Sequence, residues 1–121
     1  MGEVYDDRLT AIMNELRQFV REREWQQFHD PKNLAMAVVS EAGELAAEYR
    51  WVANTEADKW SSDVANRKKV TAEAADVGIA LLLFFDRIGV DFIGAVRAKL
   101  GVNRLNYPVA TSKGKSERPR P

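Results

Sequence analysis

The sequence predicts an all-α protein of four helices. Apolar residues recur at spacings of three and four, no stretch alternates apolar and polar residues long enough to form a sheet, and Asp-Pro, Asp and Gly stand where helices should begin and end. With 121 residues, 45% of them hydrophobic, the chain has room for one domain with one real core. That domain is expected over residues 1–110. Residues 111–121, rich in Ser, Lys, Arg and Pro, have almost nothing to bury and are expected to be a disordered basic tail.

The first helix is expected from about Asp7 to Glu24, with Leu9, Ile12, Met13, Leu16, Phe19 and Val20 as its apolar stripe. An aromatic connection, Trp25 to His29, leads to Asp30-Pro31, a capping carboxylate followed by proline at the first helical position. The second helix starts there, holds Leu34, Met36, Val38, Val39, Leu45, Tyr49 and Trp51, and meets no proline before Asn54. Asn54 to Asp63 is polar and reads as a loop, with Trp60 as a packing residue or lid contact. The third helix runs from about Val64 to Ile88. Its segment Val77 to Phe85 is apolar all round, which implies burial on every side and, in so small a chain, a subunit interface. Gly89 suits a helix end, Asp91 caps the fourth helix, and Pro108 ends it.

Composition excludes several functions. Zero cysteines exclude disulfides, thiolate metal sites and a cysteine nucleophile. The longest apolar run, nine residues, is about half of the ~20 that a membrane span needs. The acidic start, Met1 to Asp7, is unlike an export signal, so the cytoplasm is the expected location. The 18 basic residues balance 18 acidic ones, which argues against a nucleic-acid binder. The balance is uneven, because residues 1–107 hold 14 basic against 17 acidic groups and the tail is net positive.

Two acidic pairs at i,i+3 carry the chemistry: Glu41 with Glu44 on the second helix, and Glu73 with Asp76 on the third. Each pair shares a helix face, with Cβ atoms roughly 5–6 Å apart. If the two helices pack antiparallel, four carboxylates converge, which is costly unless a cation compensates, and hard oxygen donors select Mg²⁺ or Mn²⁺. Glu41 and Asp76 lie among alanines and aliphatic residues rather than lysines. Spacing and neighbours alone leave both a metal cluster and structural or solvent-facing acids open. A di-iron site would need Glu-x-x-His pairs, and the single histidine, His29, follows no glutamate at that spacing.

The stretch Arg23 to Leu34, with its W-x-Q-F-H-x-P-x-N block, followed by Ser40-Glu41-Ala42-Gly43-Glu44-Leu45-Ala46 and Trp51, resembles the dCTP pyrophosphatase branch of the MazG-like all-α NTP pyrophosphohydrolases. Glu73-Ala74-Ala75-Asp76-Val77 resembles the second acidic motif of that family. Lys99, Asn103-Arg104 and Tyr107-Pro108-Val109 resemble its closing segment, so the likeness covers about residues 8–110. It implies a four-helix bundle that hydrolyses a nucleoside triphosphate to the monophosphate and pyrophosphate, and the third helix, too apolar for a lone subunit, makes a homotetramer, or at least a dimer, the expected state.

The resemblance further implies Mg²⁺, or Mn²⁺, on Glu41, Glu44, Glu73 and Asp76, with a metal-activated water attacking the α-phosphorus. Trp25 and Trp51 become aromatic walls for the base, and His29 a donor to base or phosphate. Lys99, Asn103, Arg104 and Tyr107 become substrate contacts; without the resemblance, Lys99 and Arg104 read as solvated cations near a helix end. Ala80 stands where the dCTP pattern carries a tyrosine, which implies a wider, less polar pocket. The expected substrate is dCTP or a modified dCTP. The same chemistry on other NTPs is the first alternative, and a noncatalytic helical binding module the second.

Overall fold

The computed structural model describes residues 7–117. Its elements are α1 (Asp7–Glu22), a 3-10 turn (Trp25–Phe28), α2 (Pro31–Tyr49), a second 3-10 turn (Asn54–Glu56), α3 (Ala57–Ser62), α4 (Val64–Ile88), α5 (Phe92–Asn106) and α6 (Val109–Ser112). No strand occurs among the described residues. The part of the basic tail at positions 118–121 lies outside them.

Local chemistry sets most boundaries where the sequence reading expects them. The Asp30 carboxylate accepts from the Asn33 amide at 2.9 Å, with Pro31 behind it, and starts α2. Asp63 accepts from the Asn66 amide and Asp91 from the Gly94 amide, at 3.2 and 2.7 Å, to start α4 and α5. Gly89, at φ 69°, adopts the left-handed conformation that ends α4.

Three expectations about secondary structure need correction. The first helix stops at Glu22 rather than Glu24, because Glu24 turns left-handed (φ 54°) and swings Trp25–Phe28 into their 3-10 turn. The second stops at Tyr49, leaving Trp51 beyond the helix in a turn closed by Val52 N–H donating to Tyr49 C=O. The expected loop at 54–63 contains α3 instead. The Trp60 ring lies 5.0 Å from that of Tyr49, and the Tyr49 hydroxyl and Ser61 Oγ are 2.7 Å apart, so the aromatic side chains fold this polar segment into a turn of helix.

The chain divides into two compact units, one up to Gly89 and one from Val90 onward. In the first, α4 packs against α1, α2 and α3, most extensively against α2. Its buried apolar side chains are Leu16 and Val20 of α1, Leu34 of α2 and Ala80 of α4. The segment Val77–Phe85, expected to be buried on every side, is half-buried along most of its length within this chain, and Ile79 remains 41% exposed. The second unit consists of α5 and the one-turn α6, with Tyr107 closing α5 through its N–H to Asn103 C=O at 2.8 Å.

Candidate active site

The packing of α2 on α4 brings the two acidic motifs together. Carboxylate oxygens of Glu41, Glu73 and Asp76 all lie within 4.8 Å of one another, and Glu44 is close enough to share a proton with Glu41 and with Glu73. One oxygen each of Glu41 and Glu73 (Oε2 in both) is buried with no hydrogen-bond partner. A buried carboxylate oxygen in this state is unfavourable until a donor or a cation reaches it.

The protonation equilibria carry the same strain. Burial pushes the Glu41 carboxyl above the usual range, helped by the charges of Glu44 and Asp76 and a hydrogen bond with Glu44. Glu73 is raised first by its hydrogen bond with Glu44, then by burial and by the charges of Glu44, Asp76 and Glu41. An all-oxygen, multiply negative donor set with unpartnered oxygens fits a hard divalent cation.

The acids stand at one side of a cavity of about 250 Å³ between α1, α2 and α4. Glu41 and Asp76 line it with His29, and the remaining wall is apolar: Leu16, Phe19, Val20, Trp25, Leu34, Ala37, Ile79, Ala80 and Leu83. Trp25 stands edge-on to Phe19 at 5.6 Å and to His29 at 6.3 Å, so the left-handed turn at Glu24 sets an aromatic cluster against the cavity. Arg23 covers the Phe19 ring, its guanidinium carbon 3.7 Å from the ring centre.

Of the residues singled out from sequence, Trp25, His29, Glu41 and Asp76 line this cavity, with Glu73 and Glu44 beside its acidic edge. Trp51 does not line it; its side chain is 87% exposed, with Arg50 over its ring at 5.6 Å. Lys99, Asn103, Arg104 and Tyr107 belong to the second unit, where Lys99 and Asn103 stand one turn apart on α5. Phe19 and Leu34 belong to the apolar positions of the first two helices and Leu83 to the all-round apolar segment 77–85, so none of them carries a functional signal in the sequence. Their shared cavity is visible only after α1 is laid across α2 and α4.

The chain is all-α, with one acidic pair on α2 and another on α4. A pyrophosphatase from Archaeoglobus fulgidus superposes with a TM-score of 0.78 at 29% sequence identity, covering 89% of this chain and 99% of that one. In sequence, the chain is similar to dCTP pyrophosphatase 1. It is 40% identical to the mouse protein over 97 residues, and 36% identical to the human protein over 101 residues. These alignments cover 80% and 84% of this chain, and the chain spans only 57% and 59% of those relatives. No family model matches the sequence.

Proposed function

We propose that the chain is a Mg²⁺-dependent nucleoside triphosphate pyrophosphohydrolase that converts dCTP or a modified dCTP to the monophosphate and pyrophosphate, acting on the cytoplasmic nucleotide pool. The observation that carries this reading is the pair of buried, unpartnered carboxylate oxygens on Glu41 and Glu73 beside an aromatic-walled cavity. Glu41, Glu44, Glu73 and Asp76 would hold the cation, Mg²⁺ in preference and Mn²⁺ as the alternative. Bound there, it would supply positive charge against the phosphates and lower the pKa of water at the site.

The remaining roles follow from side-chain chemistry. Trp25 and Phe19 offer faces and edges for a base, and His29 offers a donor or acceptor at its rim. Lys99, Asn103, Arg104 and Tyr107 are proposed phosphate contacts on the strength of their likeness to the family's closing segment, and Trp51 a further base contact through its uncovered indole. Residues 1–110 would form the functional domain, with 111–121 a basic appendage.

A homo-oligomer, tetramer or dimer, is part of the proposal. In the first unit Phe28, Met36, Val39 and Trp51 are 59%, 57%, 66% and 87% exposed, while only four apolar side chains among the described residues are buried. A second copy would cover such surface.

The test is incubation with each NTP and dNTP plus Mg²⁺, with products resolved by chromatography and the oligomeric state by sedimentation. Monophosphate with pyrophosphate is expected, and Glu41→Gln or Asp76→Asn should lower the rate by about a hundredfold or more. Diphosphate with phosphate, or full activity in both variants, overturns the reading.

A further inference from the structure

A second pocket, of about 300 Å³, adjoins the first and shares Val20, His29, Leu34 and Leu83 with it. Its other walls are Arg17, Arg21, Gln26, Asp86 and Arg87, so three guanidinium groups face one carboxylate. Arg17 is already committed: it binds Asp86 through Nε and Nη2, both at 2.8 Å, and Asn14 through Nη1 at 2.9 Å. Arg87 spends Nη1 on the Gln26 carbonyl at 3.0 Å, which leaves its other N–H groups. The Arg21 guanidinium has no hydrogen bond or ion pair among the described residues. The pocket therefore holds two under-used guanidinium groups and a net charge of +2 with His29 neutral.

Its position gives it a direction. On α2 the shared residue Leu34 lies seven residues before Glu41, and on α4 the shared Leu83 lies seven residues after Asp76. At 1.5 Å per residue, both helices put the shared wall about 10 Å from the acids. A nucleotide whose phosphates meet the acids, seated in the cavity as proposed above, thus points the base edge opposite its glycosidic bond toward the arginines. Along that route the cavity wall is apolar apart from His29. Guanidinium groups donate and cannot accept, so they select an acceptor or an anion on that edge.

We propose that this arginine pocket is a specificity subsite for a negatively charged substituent on the distal edge of the nucleobase, a carboxylate being the simplest. The proposal rests on the cavity being the seat of a base. It does not depend on hydrolysis.

The experiment compares equilibrium binding of 5-carboxy-dCMP and 5-methyl-dCMP to the full chain with Mg²⁺, by calorimetry. The two ligands differ only in the substituent at C5, a carboxylate against an uncharged methyl group. Binding of the carboxy compound about tenfold tighter is expected, as for a charged hydrogen bond at a partly exposed site. Arg21→Ala, which breaks no hydrogen bond or ion pair among the described residues, should reduce that ratio severalfold and leave 5-methyl-dCMP binding unchanged, and Arg21→Lys should restore part of it. A ratio of one or less in the unaltered protein overturns the proposal, as does a ratio that survives Arg21→Ala combined with Arg87→Ala.

Inorganic phosphate supplies the last arm. If phosphate alone binds in an Arg21-dependent manner and the carboxy compound gains nothing, the pocket serves a free anion and the proposal fails. Pyrophosphate release from dCTP, measured alongside, separates the two ideas: a preserved carboxylate preference without hydrolysis refutes the enzyme and keeps the subsite, and hydrolysis with a ratio of one does the reverse.

Discussion

Ala80→Leu separates the cavity from the fold. Ala80 is 6% exposed, one turn beyond Asp76, and lines the 250 Å³ space. Leucine adds three carbons; at about the ~30 Å³ that one water takes, they would fill roughly a third of the cavity. Because those carbons enter open space, the usual ~1–3 kcal/mol cost of overpacking does not apply. Burial would contribute up to ~0.8 kcal/mol per methylene. The melting temperature should therefore hold or rise by a few degrees. A base that loses its seat forfeits about 1–3 kcal/mol of stacking, so KM for dCTP should rise by roughly 5- to 150-fold with kcat changed far less. Steady-state pyrophosphate release and a thermal melt on the same preparation read both quantities. An unchanged KM would show that no base enters this cavity, and a fall in melting temperature would show that the space is not open to a side chain.

Two further outcomes are expected. Asp30→Ala removes the cap on the Asn33 amide and should cost about 1 kcal/mol, lowering the melting temperature by roughly 3–5 °C, with Asp30→Ser recovering most of it; identical melts for all three proteins would show that this cap contributes nothing. The second concerns pH. Glu41 and Glu73 hold their protons to higher pH than ordinary glutamates, so protons compete with the cation, and Mg²⁺ affinity should fall as pH drops through their raised pKa values, above the usual ~4.3. In the metal-free protein the sign is opposite: the folded state binds more protons than the unfolded chain in that window, so stability should decline as pH rises through it. Calorimetric Mg²⁺ titrations that give one affinity across the window would contradict both shifts.

The helices and the acidic motifs were legible because their signals are local. A cap needs one carboxylate and an amide three residues on, as at Asp30, Asp63 and Asp91, and the i,i+3 acidic pairs need only a helix to share a face. The cavity was not legible. Phe19, Leu34 and Leu83 carry the same apolar pattern whether they meet another side chain or an open space, and only tertiary packing distinguishes the two. Short α3 escaped notice because a tertiary contact between Tyr49 and Trp60 holds it rather than any apolar period. Trp51 looked like a continuation of α2, yet the helix stops two residues earlier with no proline or glycine to mark the end.

The seven-residue offset between the acids and the wall shared by the two pockets has an evolutionary consequence. About two turns of each helix separate the clustered acids from that wall, so under the proposed roles substitutions at Arg21 or Arg87 would change what is recognised while the carboxylates keep their geometry. Substrate preference in such a scaffold is free to drift between lineages under an unchanged reaction.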